Sequence, residues 1–126
     1  MEEQIMNMPA VALRGLTILP GMIAHFDISR ERSLRAVEEA MEQDQKIYLV
    51  TQRNVDREDP TQEDLYQMGI VADIKQVVRL QNDVVRILVD GISRAALLGF
   101  TGNEKYLEAE ICYCDSNAER DGAYNK

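Results

Sequence analysis

The stretch Gly69-Ile70-Val71-Ala72-Asp73-Ile74-Lys75-Gln76, continued through Gln81-Asn82-Asp83 into Val84-Val85-Arg86-Ile87-Leu88-Val89-Asp90, decides the fold. In its first part Ile70, Ala72 and Ile74 alternate against Val71, Asp73 and Lys75, the period of two that places successive side chains on opposite faces of a strand. The pattern reaches about Leu80, Gln81-Asn82-Asp83 supplies turn residues, and Val85, Ile87 and Val89 then share one face of a second strand. Two strands joined by so short a polar turn form a hairpin. Gly91 is expected to separate this hairpin from a further strand, Ile92 to Leu98.

Toward the N-terminus the period changes. Between Ser29 and Asp44, Leu34, Val37, Ala40 and Met41 recur at three- and four-residue spacing, with Glu38, Glu39, Glu42 and Gln43 elsewhere on the wheel, which predicts an amphipathic helix. Ser29 or Ser33 is positioned to cap it, since either hydroxyl can accept a bond from an unpaired amide of the first turn. Met8 to Arg14, Ile23 to Ile28 and Lys46 to Gln52 read as strands, so a strand, helix, strand sequence opens the chain. A short helix is expected from Pro60-Thr61-Gln62-Glu63-Asp64, with Thr61 as cap and Gly69 as stop. On the C-terminal side Leu107, Ala109, Ile111 and Tyr113 alternate with Glu108, Glu110, Cys112 and Cys114 in a half-buried last strand. Residues 1–114 then form the folded lobe, and Asp115 to Lys126, polar and without period, reads as a flexible tail or linker.

About six strands with one main and one short helix leave few ways to satisfy sheet edges, and the expected fold is α+β, β-rich: a small closed or nearly closed barrel with the helix at its side. The 126 residues suffice for one domain around a single hydrophobic core. With 45% apolar and 29% charged residues the composition is that of a soluble globular protein. The formal charge of −8 opposes binding to nucleic acid or an anionic membrane. The acidic start Met1-Glu2-Glu3-Gln4 lacks the charge of a secretory signal, and the longest nearly apolar run, Ala95 to Phe100, is too short to span a bilayer; a cytoplasmic location is expected.

Catalytic chemistry finds no foothold. Neither a phosphate-cradling Gly-x-x-x-x-Gly-Lys-Ser/Thr loop nor a Gly-x-Gly-x-x-Gly turn occurs. His25, the one histidine, is expected as a partly buried, hydrogen-bonded strand residue, and Lys46, Lys75, Lys105 and Lys126 as solvated charge without an adjacent serine signature. The acidic pairs Glu38-Glu39, Glu58-Asp59 and Glu63-Asp64 are contiguous and flanked by polar residues, as surface charges are. Cys112 and Cys114 lack the geometry a disulfide prefers and lack companions for a tetrahedral zinc site, so no catalytic, metal or cofactor residue is assigned. The unusual segment is Leu16-Thr17-Ile18-Leu19-Pro20-Gly21-Met22-Ile23, an apolar connection where a polar loop is the norm. Either its side chains fold back into the core or they form an exposed patch for a polypeptide or a neighbouring subunit; Leu16, Ile18, Leu19, Pro20, Met22 and Ile23, with Met68, are the candidate binding residues.

The run Pro9-Ala10-Val11-Ala12-Leu13-Arg14-Gly15-Leu16-Thr17-Ile18-Leu19-Pro20-Gly21-Met22 resembles the opening signature of bacterial Lon-type ATP-dependent proteases, a leucine- and proline-rich strand followed by arginine and then Phe/Leu/Tyr-Pro-x-Met. Asp27 to Ala36 resembles that family's helix start, with Ser29 where glycine is usual, and Thr51-Gln52-Arg53, Asp64 to Gln76 and Val84 to Ala95 follow in family order. The resemblance runs from about Met8 to Tyr113 and implies the first, barrel-like lobe of the N-terminal domain, a PUA-like pseudo-barrel. It further implies a non-catalytic lobe that recognises unfolded or damaged polypeptides and supports a homohexamer, with ATP and Mg, and a Ser-Lys peptidase site, belonging to other domains of the parent. A purely architectural role in ordering subunits is the alternative. An RNA-binding role, known among barrels of this architecture, is disfavoured by the negative charge.

Overall fold

The hairpin forms as the alternation requires, and its turn explains its register. In the computed structural model, which describes residues 5–52 and 68–113, strands β4 (Met68–Arg79) and β5 (Val85–Phe100) pair antiparallel. Asn82 and Asp83 have φ of 63° and 61°, the left-handed pair of a type I′ turn, a conformation asparagine and aspartate tolerate better than other side-chain-bearing residues. The Val84 amide donates to the Gln81 carbonyl at 3.3 Å and the Leu80 amide to the Val84 carbonyl at 2.7 Å, which fixes how the two strands face each other.

The remaining elements are β1 (Ile5–Leu13), β2 (Ile23–Ile28), α1 (Glu31–Glu42), β3 (Lys46–Thr51) and β6 (Glu108–Tyr113). All six strands belong to one sheet in the order β2-β5-β4-β3-β1-β6, and β6 also pairs with β5. That extra pairing closes β5, β4, β3, β1 and β6 into a ring and leaves β2 outside it, attached along the first half of β5. β1 and β3 run parallel, with β2 and α1 in the crossover between them.

Two apolar clusters, not one core, fill the lobe. Met8, Ala10, Ala12, Tyr48, Val50, Val71, Ala95, Leu97, Ala109 and Ile111, from all five ring strands, pack together as the ring's interior. On the opposite sheet face Val11, Leu13, Ile47, Leu49, Ile70, Ala72, Ile74, Val85, Ile87 and Val89 pack with Val37 and Ala40 of α1 and with Ile18 and Ile28. The expectation of a single core fails because β1 and β3 are buried on both faces, so their continuous apolar runs feed two clusters. Buried Tyr48 keeps its hydroxyl satisfied by donating to the Ala95 carbonyl at 2.9 Å.

Other expectations also change. The helix begins after Arg30, whose side chain makes no capping bond; Ser29 is exposed, and Ser33 lies buried inside the helix. Arg30 instead donates to buried Gln52 at 2.6 Å, tying the helix start to the end of β3. Lys46 is not merely solvated: its ammonium meets Asp73 across the β3–β4 pair at 2.7 Å, and that hydrogen bond raises its pKa. The short helix expected at Pro60 to Asp64, Cys114, and the tail from Asp115 to Lys126 lie outside the described residues.

Gly91 does not separate two strands; β5 runs through it unbroken. Its partners shift register here, between Val71 and Ala72 of β4, so the buried side of β5 changes from Val85, Ile87 and Val89 to Ala95 and Leu97. A Cβ on Gly91 would overlap the Leu19 carbonyl oxygen and come within 2.8 Å of Ile70 Cδ1. Gly91→Val is therefore expected to destabilise the lobe by about 1–3 kcal/mol through overpacking, seen as a lower urea midpoint with an unchanged slope. An unchanged midpoint would show that the Leu19 loop yields freely.

Candidate functional site

The apolar connection between β1 and β2 is built around Leu19-Pro20-Gly21-Met22. Proline presets the second position, Gly21 takes φ 81° at the third, and the Met22 amide donates to the Leu19 carbonyl at 3.0 Å, the arrangement of a type II turn. The turn is pinned to the bend of β5: the Gly21 amide donates to the Gly91 carbonyl at 2.8 Å and the Gly91 amide to the Met22 carbonyl at 2.9 Å. Farther back, the Thr51 hydroxyl donates to the Leu16 carbonyl at 2.9 Å.

This backbone divides the candidate residues. Ile18 is only 4% exposed and belongs to the core, and Leu16 is half-buried against the same cluster, so both of the readings open for this segment apply, to different residues. Ile18 offers no surface to a partner, a correction to its place among the candidates. Leu19 (49%), Met22 (37%) and Ile23 (65%) remain exposed, as does Pro20. Met68, 47% exposed, opens β4 two residues before Ile70 and so shares its face; Ile70 lies beside Gly91 under the Leu19 turn. Ile92, next to Gly91 in β5, is also exposed and carried no signal in the sequence, where Gly91 reads as a break between strands.

The neighbouring β2 is held by charge as well as by its ladder. Asp27 stands opposite Arg86 of β5 and accepts from its guanidinium at 2.7 and 3.2 Å. That hydrogen bond lowers the Asp27 pKa. His25 is exposed on the same strand, not partly buried as expected. Cys112 is a half-buried free thiol. Among the described residues no group of three or more His, Cys, Asp or Glu side chains could hold a metal ion, and no helix is long and apolar enough to cross a membrane.

The lobe, with six strands and one helix among the described residues, has counterparts. Residues 7–124 match the model of the ATP-dependent protease La (LON) substrate-binding domain. This chain belongs to the Lon protease family. It is 41% identical over 111 residues to the Lon protease of Lachnoclostridium phytofermentans, covering 88% of this chain and 14% of that protein. It is 42% identical over 107 residues to that of Brevibacillus choshinensis, covering 85% of this chain and 14% of that one. The chain thus spans about 14% of the length of these curated relatives. Its fold matches the N-terminal domain of Mycobacterium avium complex Lon protease, with a TM-score of 0.69 at 20% identity over 87% of this chain and 55% of that one. It likewise matches a Lon N-terminal domain protein from Xanthomonas campestris, with a TM-score of 0.67 at 14% identity over 90% of this chain and 63% of that one. The Lon fold is therefore retained where few side chains are shared.

The burial pattern predicts unequal mutational costs within one Lon loop. Ile18→Ala is expected to cost about 2–5 kcal/mol, whereas Leu19→Ser and Met22→Ser should each stay within about 0.5 kcal/mol of the parent in urea unfolding. Similar costs at all three positions would show that the loop is not split into core and surface residues. Because folding lowers the Asp27 pKa, its pair with Arg86 stabilises the lobe fully above the ordinary carboxylate range and less as pH falls through the lowered value. Asp27→Asn should accordingly lose less stability than the parent between neutral and strongly acid pH; equal losses would exclude the pair as a contributor.

Proposed function

We propose that this lobe is a non-catalytic substrate-recognition part of an ATP-dependent Lon protease, acting in the cytoplasm on misfolded and regulatory proteins. Leu19, Pro20, Met22 and Ile23, with Met68, engage exposed apolar segments of the substrate, and half-buried Leu16 supports them from below. The observation that carries this reading is an apolar turn held outward by backbone hydrogen bonds to Gly91, so that exposed side chains stand on a fixed base. Such a surface meets a partner at little ordering cost, and flexible Met22 and Met68 suit it to many sequences. Hydrolysis belongs to a Ser-Lys peptidase domain, and ATP with Mg to an ATPase domain, both elsewhere in the homohexameric parent.

The contact area is small, so affinity in the micromolar range or weaker is expected for one lobe, with several subunits adding avidity. Chemical-shift mapping with a permanently unfolded protein should perturb Leu19 to Ile23 and Met68 first, and Leu19→Ser combined with Met22→Ser should weaken binding about tenfold. Absence of perturbation around Pro20 and Met22 would reject this location. In the full-length protease, photo-crosslinking from position 22 should capture substrate; capture of a neighbouring subunit alone would favour an architectural role.

A further inference from the structure

Among the described residues β2 is an edge strand with one neighbour, β5, and its pairing shows which of its backbone groups are free. The Gly91 amide bonds the Met22 carbonyl, and the register continues from that pair through Ala24↔Val89, Phe26↔Ile87 and Ile28↔Val85. In an antiparallel ladder hydrogen-bonded pairs alternate with non-bonded ones, so Ala24, Phe26 and Ile28 bond to β5. The amides and carbonyls of Ile23, His25 and Asp27 therefore point away from the sheet, and no other backbone bond takes them among the described residues. The β4–β5 ladder agrees: the Leu80 amide bonds Val84, which assigns Arg86 and Leu88 to β4 and leaves Val85, Ile87 and Val89 for β2.

Proteins ordinarily block such an edge with proline, lysine, a bulge or a covering element. β2 has neither proline nor lysine, its register with β5 is unbroken from Ile23 to Ile28, and its one acid is neutralised by Arg86. Beside the edge lies a cleft of about 180 Å³ lined by Leu13, Leu16, Phe26, Ile28 and Arg30 among others. The edge begins at Ile23, where the apolar turn ends.

We propose that β2 receives an extended segment of unfolded polypeptide as an added strand, hydrogen-bonded to Ile23, His25 and Asp27. This rests on the substrate-recognition reading and specifies how the substrate is held. Free groups on every second residue repeat at strand spacing, which an extended backbone matches and a helix does not. The backbone bonds are indifferent to substrate sequence. Preference arises on the two faces of the added strand, where alternate side chains would cover half-buried Ala24 and Phe26 on one side and meet exposed Ile23 on the other. The preferred segment thus alternates apolar residues, the pattern of a β-strand that a damaged protein has exposed. A second copy of this chain is a poorer occupant, because each copy carries a charge of −8 and the two repel.

The test uses short synthetic peptides alternating valine with threonine and ending in lysines, titrated into the isotope-labelled chain. N-methylating every second peptide amide, in the phase that faces β2, should weaken binding about tenfold, while methylating the other phase should change it less than about twofold. Amide exchange at Ile23, His25 and Asp27 should slow when the unmodified peptide binds. His25→Pro removes the central outward donor without touching the ladder and should reproduce the loss, with an unchanged thermal midpoint showing that the fold persists. If both methylation phases act equally, or the three amides stay unprotected while Leu19 and Met22 still respond, strand addition is wrong and the apolar site stands. If nothing binds and nothing shifts, both readings fall. Protection of those amides by raising protein concentration without peptide would assign the edge to a second copy and overturn the proposal.

Discussion

One crossing of backbones governs this lobe. At Gly91 the carbonyl of Leu19 lies where any other residue would place its Cβ, and the β5 strand continues beneath it. At the same place β5 shifts register against β4 and hands its buried side chains from one cluster to the other. The same approach lets Gly91 bond both Gly21 and Met22, so the β1–β2 connection is fastened to the sheet by its own main chain. The outward turn follows from this contact, and the register shift beside it lets β5 serve both apolar clusters.

That fastening also reconciles two demands on the surface proposed to meet unfolded chains. Apolar side chains are costly to expose, yet a recognition surface needs them accessible and correctly spaced. Here the cost is confined: Ile18 anchors the loop in the core and Leu16 is half-buried, leaving a few exposed apolar residues on a backbone held by hydrogen bonds. The fold itself is shared with Lon N-terminal domains at 14–20% identity.

Where periodicity or turn chemistry acts locally, the chain could be read directly. The alternation of Ile70, Ala72 and Ile74, the turn at Asn82 and Asp83, the helical spacing of Val37 and Ala40, and the oddity of the Leu16 to Ile23 connection each express a preference of a few adjacent residues. The family was legible too, because ordered motifs from Pro9 to Ala95 carry it. Ser29 and Ser33 misled because a cap is chosen by where tertiary packing starts the helix, and here the helix begins after Arg30, which bonds Gln52.

The sequence by itself determined the β-rich class, the position of the main helix and of most strands, the family and the segment to suspect, since these rest on local spacing, composition and ordered motifs. Only the tertiary structure decided that Gly91 lies within a strand, that Ile18 is core while Leu19 is surface, and which edge of β2 is open. A glycine reads as a break until the carbonyl that crosses it is known, and an apolar loop residue has no side until the sheet beneath it bends. Both depend on contacts between residues far apart in the chain, which no local pattern records.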